Sequence, residues 1–199
     1  MARPVAPVLL LGLAAIAGSA CRATAPSRFY TLDATATADG SAPAGNYAVA
    51  VGPVSIPPIV DRPQFVVQVA PNRVQLDEFN RWASPLDDNI ARAVAGNLSV
   101  LLGTPHIASG PLAPSLAPAY RVAIDVQRFE SVPGQSVLVD AVWAVQKGTT
   151  RGARSGRTIA REPVDGPSFD ALAAAHSRAL AQVSADIAAA IRSEANGKP

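Results

Sequence analysis

Two periodicities divide the chain. Tyr120, Val122, Ile124 and Val126 alternate with Arg121, Ala123, Asp125 and Gln127. Val137, Val139, Ala141, Trp143 and Val145 alternate with Leu138, Asp140, Val142, Ala144 and Gln146. A period of two predicts strands, and Pro133-Gly134 between the runs predicts an antiparallel pair. The second run is apolar on much of both faces, which predicts a central strand. Shorter alternations predict strands over 28–32 and 47–54, a hairpin of 64–69 and 73–77 around Pro71-Asn72, and a weaker strand over 157–162. Elsewhere the period is that of a helix. Leu86, Ile90, Val94, Leu98 and Leu101 form one apolar stripe. Ser84-Pro85-Leu86-Asp87 before it predicts a capping box, and Gly103 and Pro105 predict its end. Phe169, Leu172, His176, Leu180, Val183, Ile187 and Ile191 form a second stripe that reaches to about residue 195. Ser168 is its expected cap and Asn196-Gly197 its end. The remaining segments, 34–45, the proline-rich 105–118 and the basic 148–156, read as spacer or loop.

Strands and helices in mixed order, without repeats or an interdomain linker, predict one α+β domain. The expected architecture is a mixed, mostly antiparallel sheet of about six to seven strands packed against two long amphipathic helices. A chain of 199 residues, 49% hydrophobic, is long enough to bury such a core without staples. The single cysteine and two histidines exclude a disulfide framework and a thiolate-built zinc site. A net charge of +2 gives no electrostatic case for nucleic acid as a partner. No metal or cofactor is expected.

The N-terminus changes the picture. Arg3 precedes an uncharged run, Val5 to Ala17, which is shorter than a bilayer-spanning helix requires. A basic start, a short apolar stretch and small residues after it describe a secretory signal peptide over 1–20. Gly18-Ser19-Ala20-Cys21 resembles a lipobox, the site where a bacterial lipoprotein is cut and then acylated on its cysteine. On that reading residues 21–27 are a lipidated tether, 28–199 the folded domain, and several acyl chains hold the protein durably on a membrane. Arg22, rather than aspartate, after the cysteine favours the outer membrane. Plain secretion, with Cys21 incidental, is the other reading.

Between Val51 and Gly103 the chain reads VGPVSIPPIVDRPQ, then EFNRWASPLDDNIAR, then NLSVLLG. These segments resemble the PqiC-type ABC-transport auxiliary lipoproteins. The matching motifs are Gly52-Pro53-Val54, Asp61-Arg62-Pro63-Gln64, and Arg81-Trp82 leading into Pro85-Leu86-Asp87. Phe29-Tyr30-x-Leu32, Arg128-Phe129-Glu130 and Ser177-Arg178-Ala179-Leu180 extend the resemblance over nearly the whole chain. It implies a lipoprotein of the outer membrane that faces the periplasm. It also implies partners: an MCE-domain protein and, through it, permease and ATPase subunits of a system that moves lipids and maintains envelope integrity. Homo-oligomerisation is compatible with such partners. The absence of a G-x-x-x-x-G-K-[ST] loop assigns any ATP chemistry to another chain.

Several residues have two readings each. Asp61, Arg62 and Pro63 are either a docking loop, with Arg62 gripping a partner carboxylate or phosphate, or an internal pair that shapes a turn. Arg81 and Trp82 are either interface anchors or a buried staple at the start of the helix. Arg151, Arg154 and Arg157, with Lys147 and Arg161, are either a contact for phospholipid head groups or an acidic partner, or a solvated hairpin tip. His176, on an apolar stripe, reads as a core histidine. Ser177 beside it does not make a catalytic pair, because helix neighbours do not face each other, and no G-x-S-x-G elbow is present. The expected role is therefore docking rather than catalysis. A lipid-binding shuttle or acceptor is the alternative, and it would require an apolar cavity.

Overall fold

The computed structural model describes residues 25–38, 40, 47–110, 117–148 and 152–197. Its elements run β1 (Arg28–Tyr30), β2 (Val49–Ser55), β3 (Gln64–Ala70), β4 (Arg73–Trp82), α1 (Leu86–Leu102), β5 (Ile107–Ser109), β6 (Tyr120–Val132), β7 (Ser136–Lys147), β8 (Arg154–Pro163) and α2 (Phe169–Ala195). The α+β class and the two helices agree with expectation. The strands form two sheets rather than one, ordered β1-β4-β3 and β5-β2-β6-β7-β8. Antiparallel pairing dominates by length, through the β3–β4 hairpin and the β6-β7-β8 meander. The shorter β1–β4, β2–β5 and β2–β6 pairs are parallel. β2 and β6 can lie parallel because α1 occurs between them in the chain and covers one face of the sheet.

The alternation in β6 and β7 sorts side chains as the pattern predicts. Val122, Ile124 and Val126 of β6 join Val137, Val139, Ala141, Trp143 and Val145 of β7 in the core. The apolar stripes of α1 and α2 lie on that face, with Ile90, Leu98, Leu172, Val183, Ile187 and Ile191 buried. β7 is the central strand of its meander, between β6 and β8.

Three local expectations change. Helix α1 has no capping box. Pro85 occupies the cap without a side-chain bond, because Ser84 is engaged elsewhere: its hydroxyl accepts from Arg92 and its carbonyl from the Asn89 amide, each at 2.9 Å. The second helix start forms as expected, with Ser168 Oγ accepting from Ala171 N at 3.1 Å. The proline-rich connection contains the short strand β5, which pairs with β2. The basic loop is shorter than expected, since β8 begins at Arg154. Gly156 within β8 is required there, because a Cβ would come 2.3 Å from the Trp143 ring. The Trp143 indole donates to Thr158 Oγ1 at 3.0 Å, and Thr158 donates to Asp186 on α2 at 2.6 Å.

The segment after β1, expected to be a spacer, is a strap over the α1–α2 seam. Leu32 is buried. The fully buried Asn97 of α1 accepts from Thr35 N and Ala36 N, both at 2.8 Å, and its amide reaches Ser184 of α2 at 3.3 Å. Ser177 Oγ accepts from Asp33 N at 3.1 Å. Gly96 lets the strap approach, since a Cβ there would lie 2.7 Å from that of Ala34. Asn97→Ala removes the one amide that serves both the strap and the second helix. It should cost about 1–3 kcal/mol in chemical denaturation, and hydrogen exchange should show Thr35 and Ala36 losing protection while the centres of both helices keep theirs.

Candidate functional site

The residues singled out by sequence do not converge on one centre. Asp61 and Pro63 are exposed in the turn between β2 and β3. This turn is closed by backbone bonds from Val60 N and Asp61 N to Pro57 O, and from Arg62 N to Val60 O at 2.8 Å. No ion pair among the described residues joins Asp61 to Arg62. Arg62 is half-buried, and its Nε has no hydrogen-bond partner. Pro63 O accepts from Trp82 N at 2.8 Å, which ties this turn to the end of β4.

Arg81 and Trp82 point to opposite faces of the small sheet. Arg81 bonds Glu78 through its backbone carbonyl at 2.8 Å and its carboxylate at 3.4 Å. Trp82 is buried, 5% exposed, and stacks on Phe65 with ring centroids 4.3 Å apart. Its place is the core, where it also meets Phe129 edge-on at 6.1 Å.

The basic cluster is largely occupied by internal partners. Arg157 grips Asp140 with two bonds, Nε to Oδ1 at 2.8 Å and Nη2 to Oδ2 at 2.6 Å. The Asp140 side chain is only 2% exposed. The Arg157 guanidinium, bonded to it, holds the Asp140 carboxyl below its ordinary range. Arg128, opposite Asp140 in the ladder, bonds Glu130 at 2.8 and 2.9 Å. The exposed face of the large sheet thus carries a row of alternating charge across three strands. Arg154 donates to Ser193 at 2.8 Å and lies 4.0 Å from Glu194 of α2. Lys147 bonds Glu194 O at 3.2 Å, and Arg161 bonds Ser136 at 3.1 Å. Cys21 and Arg151 lie outside the described residues.

His176 is fully buried and stacks flat on Phe129, 3.8 Å between centroids. Nε2 shares a 2.8 Å hydrogen bond with Ser131 Oγ, while Nδ1 has no partner. We assign the proton to Nε2, since an orphaned acceptor is tolerated more readily than an orphaned N–H. Burial drives its pKa from 6.5 down to about 3, so the ring is neutral and packs as an aromatic. No group of three or more metal-ligating side chains occurs among the described residues.

Two features went unnoticed in the sequence although both left a signal. Asn97 interrupts an otherwise apolar helix stripe, and Asp140 sits in a strand apolar on both faces. A buried amide or carboxylate in such a place demands a partner. A cleft of about 770 Å³ opens between α1 and the β5–β2 edge of the large sheet. Asp87, Asp88, Arg92 and Arg121 on its walls make it charged rather than greasy.

The fold defines an α+β protein whose two helices cover one face of a mixed sheet and whose chemistry is spread over its surfaces. The chain belongs to the family of ABC-type transport auxiliary lipoprotein components, whose sequence model matches residues 30–188. No curated protein matches it in sequence. The chain is similar in fold to the crystal structure of protein XCC0632 from Xanthomonas campestris, a DUF330 protein. The TM-score is 0.68 at 21% identity, covering 85% of this chain and 99% of the other. An uncharacterized protein of known structure is similar too, with a TM-score of 0.63, the same 21% identity and the same coverage. Family membership makes the protein an auxiliary component of a transport system, associated with the membranes of the cell envelope. The family is not a class of enzymes. No helix among the described residues is long and apolar enough to cross a membrane.

The buried histidine makes stability depend on pH in a definite direction. The unfolded chain takes up a proton below 6.5, which the folded chain refuses until about 3. Stability is therefore full above pH 6.5 and falls on acidification by up to about 1.4 kcal/mol per pH unit. Urea denaturation at pH 7.5, 5.5 and 4.5 should reveal this slope, and His176→Gln should flatten it.

Proposed function

We propose that the protein is a periplasmic lipoprotein held on the outer membrane by acyl chains on Cys21. In this role it is a docking subunit for an MCE-domain protein and, through that partner, for the permease and ATPase of a lipid transport system that maintains envelope integrity. The observation that carries the reading is the family match, which begins at residue 30, just beyond the lipobox-like segment and its tether. The surface supports docking in two ways. β8 pairs only with β7 among the described residues, so its other edge is available for strand addition. The exposed sheet face beside it carries the Arg128–Glu130 and Asp140–Arg157 pairs, a charge pattern that a partner can match for specificity. The alternative of a lipid shuttle draws less support from the cleft between α1 and the β5–β2 edge, which is open and lined by four charged residues, whereas acyl chains need an apolar enclosure.

Cys21→Ser should move the protein from the membrane to the soluble periplasmic fraction and abolish the acyl mass on its N-terminus. Retention on the membrane by the variant would contradict the anchor. Docking through the basic edge is tested by Arg151→Glu with Arg154→Glu, leaving Arg157 in place because Asp140 depends on it. Capture of the MCE-domain partner should fall sharply, with thermal stability little changed; undiminished capture would remove this edge from the docking surface.

A further inference from the structure

The exposed apolar side chains are unevenly placed. Phe29 is 65% exposed, and Val69, Val74 and Phe79 are each more than 40% exposed. All four belong to the short three-stranded sheet, whereas the other exposed large apolar side chains among the described residues, Ile59, Val100, Val142 and Ile159, are divided among a turn, α1 and the large sheet. Val69 follows the buried Phe65 and Val67 in the alternation of β3 and borders Val132 and Pro133, so the outer face holds Phe29, Val74 and Phe79. Strand register gives that sheet two distinct faces. Tyr30 sits opposite Trp82, and both turn inward to the core. Phe29 sits opposite Arg81 and turns outward. Val74, paired with Gln68, lies on the outward side as well. Phe79 is thrown out by an irregularity in β4, where Asp77 Oδ1 accepts from Phe79 N at 2.9 Å and from Asn80 N at 2.8 Å. Arg28 and Arg73 are exposed at the ends of β1 and β4, and the Arg81–Glu78 pair lies beside Phe29 on the same face.

The position of this sheet in the chain gives the patch an occupant. β1 is the first strand, and Arg28 follows Cys21 by seven residues. Seven residues span at most about 25 Å when fully extended, so an anchor at Cys21 brings β1 within that distance of the bilayer surface. Exposed aromatic and β-branched side chains with arginine in the same strands suit the boundary between head groups and acyl chains, where apolar bodies sink in and guanidinium groups stay with phosphate. Charge alone would not hold the protein there, since its basic and acidic residues nearly balance.

We propose that the outer face of the three-stranded sheet, centred on Phe29 and Val74, lies against the lipid surface that holds the anchor. This contact gives the anchored domain a fixed orientation, with the five-stranded sheet and its β8 edge directed away from the membrane. The inference rests on acylation at Cys21, and the test separates the two. Full-length protein purified from membranes is placed in phosphatidylcholine–phosphatidylglycerol vesicles whose acyl chains carry bromine, a contact quencher of indole fluorescence. Phe29→Trp and Val74→Trp report on the proposed face, Ile159→Trp on the large sheet, and the native Trp82 and Trp143 supply a buried background. The indoles at 29 and 74 should lose most of their emission while that at 159 keeps it. Vesicle-bound, acylated protein with no quenching at 29 and 74, or with equal quenching at 159, overturns the orientation and leaves the patch to a protein partner. Protein that lacks acyl mass yet is quenched at 29 and 74 refutes the anchor and upholds the face. Protein that neither carries acyl chains nor binds vesicles refutes both.

Discussion

Everything in this fold depends on a row of rings, packed partly face to face and partly edge to face, that joins two sheets with no strand in common. Tyr30 and Trp82 of the small sheet flank Phe65, at 5.8 and 4.3 Å between ring centroids. Trp82 then meets Phe129 of the large sheet at 6.1 Å, and Phe129 stacks on His176 of α2 at 3.8 Å. Phe169, at the start of α2, closes on Phe65 from the other side at 5.2 Å. Such pairs add about 0.5–1.5 kcal/mol each beyond the area they bury, and only a neutral ring at position 176 fits the series. The chain has few aromatic residues, 5% of its length, and the structure gathers half of them at this one junction. The small sheet is thereby a fixed platform, and what its outer face touches sets the pose of the whole domain.

Much of this was legible in sequence wherever one periodicity ruled. The alternation of β6 and the stripes of α1 and α2 each bury one face, and β7, apolar on much of both faces, buries Leu138 and Asp140 as well as Val137, Val139 and Ala141, so the pattern and the structure agree. What escaped was decided by distant partners. The division into two sheets follows from β1 pairing with β4 across some fifty residues, which no local pattern encodes. The capping box failed because Asn89 and Arg92, one and two turns into the helix, took Ser84. The strap looked like a spacer because its bonds run through backbone N–H groups to Asn97 and Ser177, and backbone groups leave no mark on composition.

The candidate surfaces were legible as motifs but not as environments. Arg81 and Trp82 are adjacent in sequence and opposite in space, since strand neighbours alternate faces. The basic cluster read as surplus charge, yet Arg154, Arg157 and Arg161 each have an internal partner. The large sheet therefore offers a patterned surface rather than a cationic one, which suits a protein partner better than an anionic lipid.

In the role proposed for it, the subunit contributes geometry: an anchor, a rigid body and a surface for the next component. The most direct test of that account is a mild-detergent pulldown from native membranes, with mass spectrometry of proteins and lipids together. The account predicts an MCE-domain protein recovered at near-fixed stoichiometry, with little lipid beyond the acyl anchor. Recovery of the protein alone, loaded with phospholipid, would contradict it and make the domain a carrier instead.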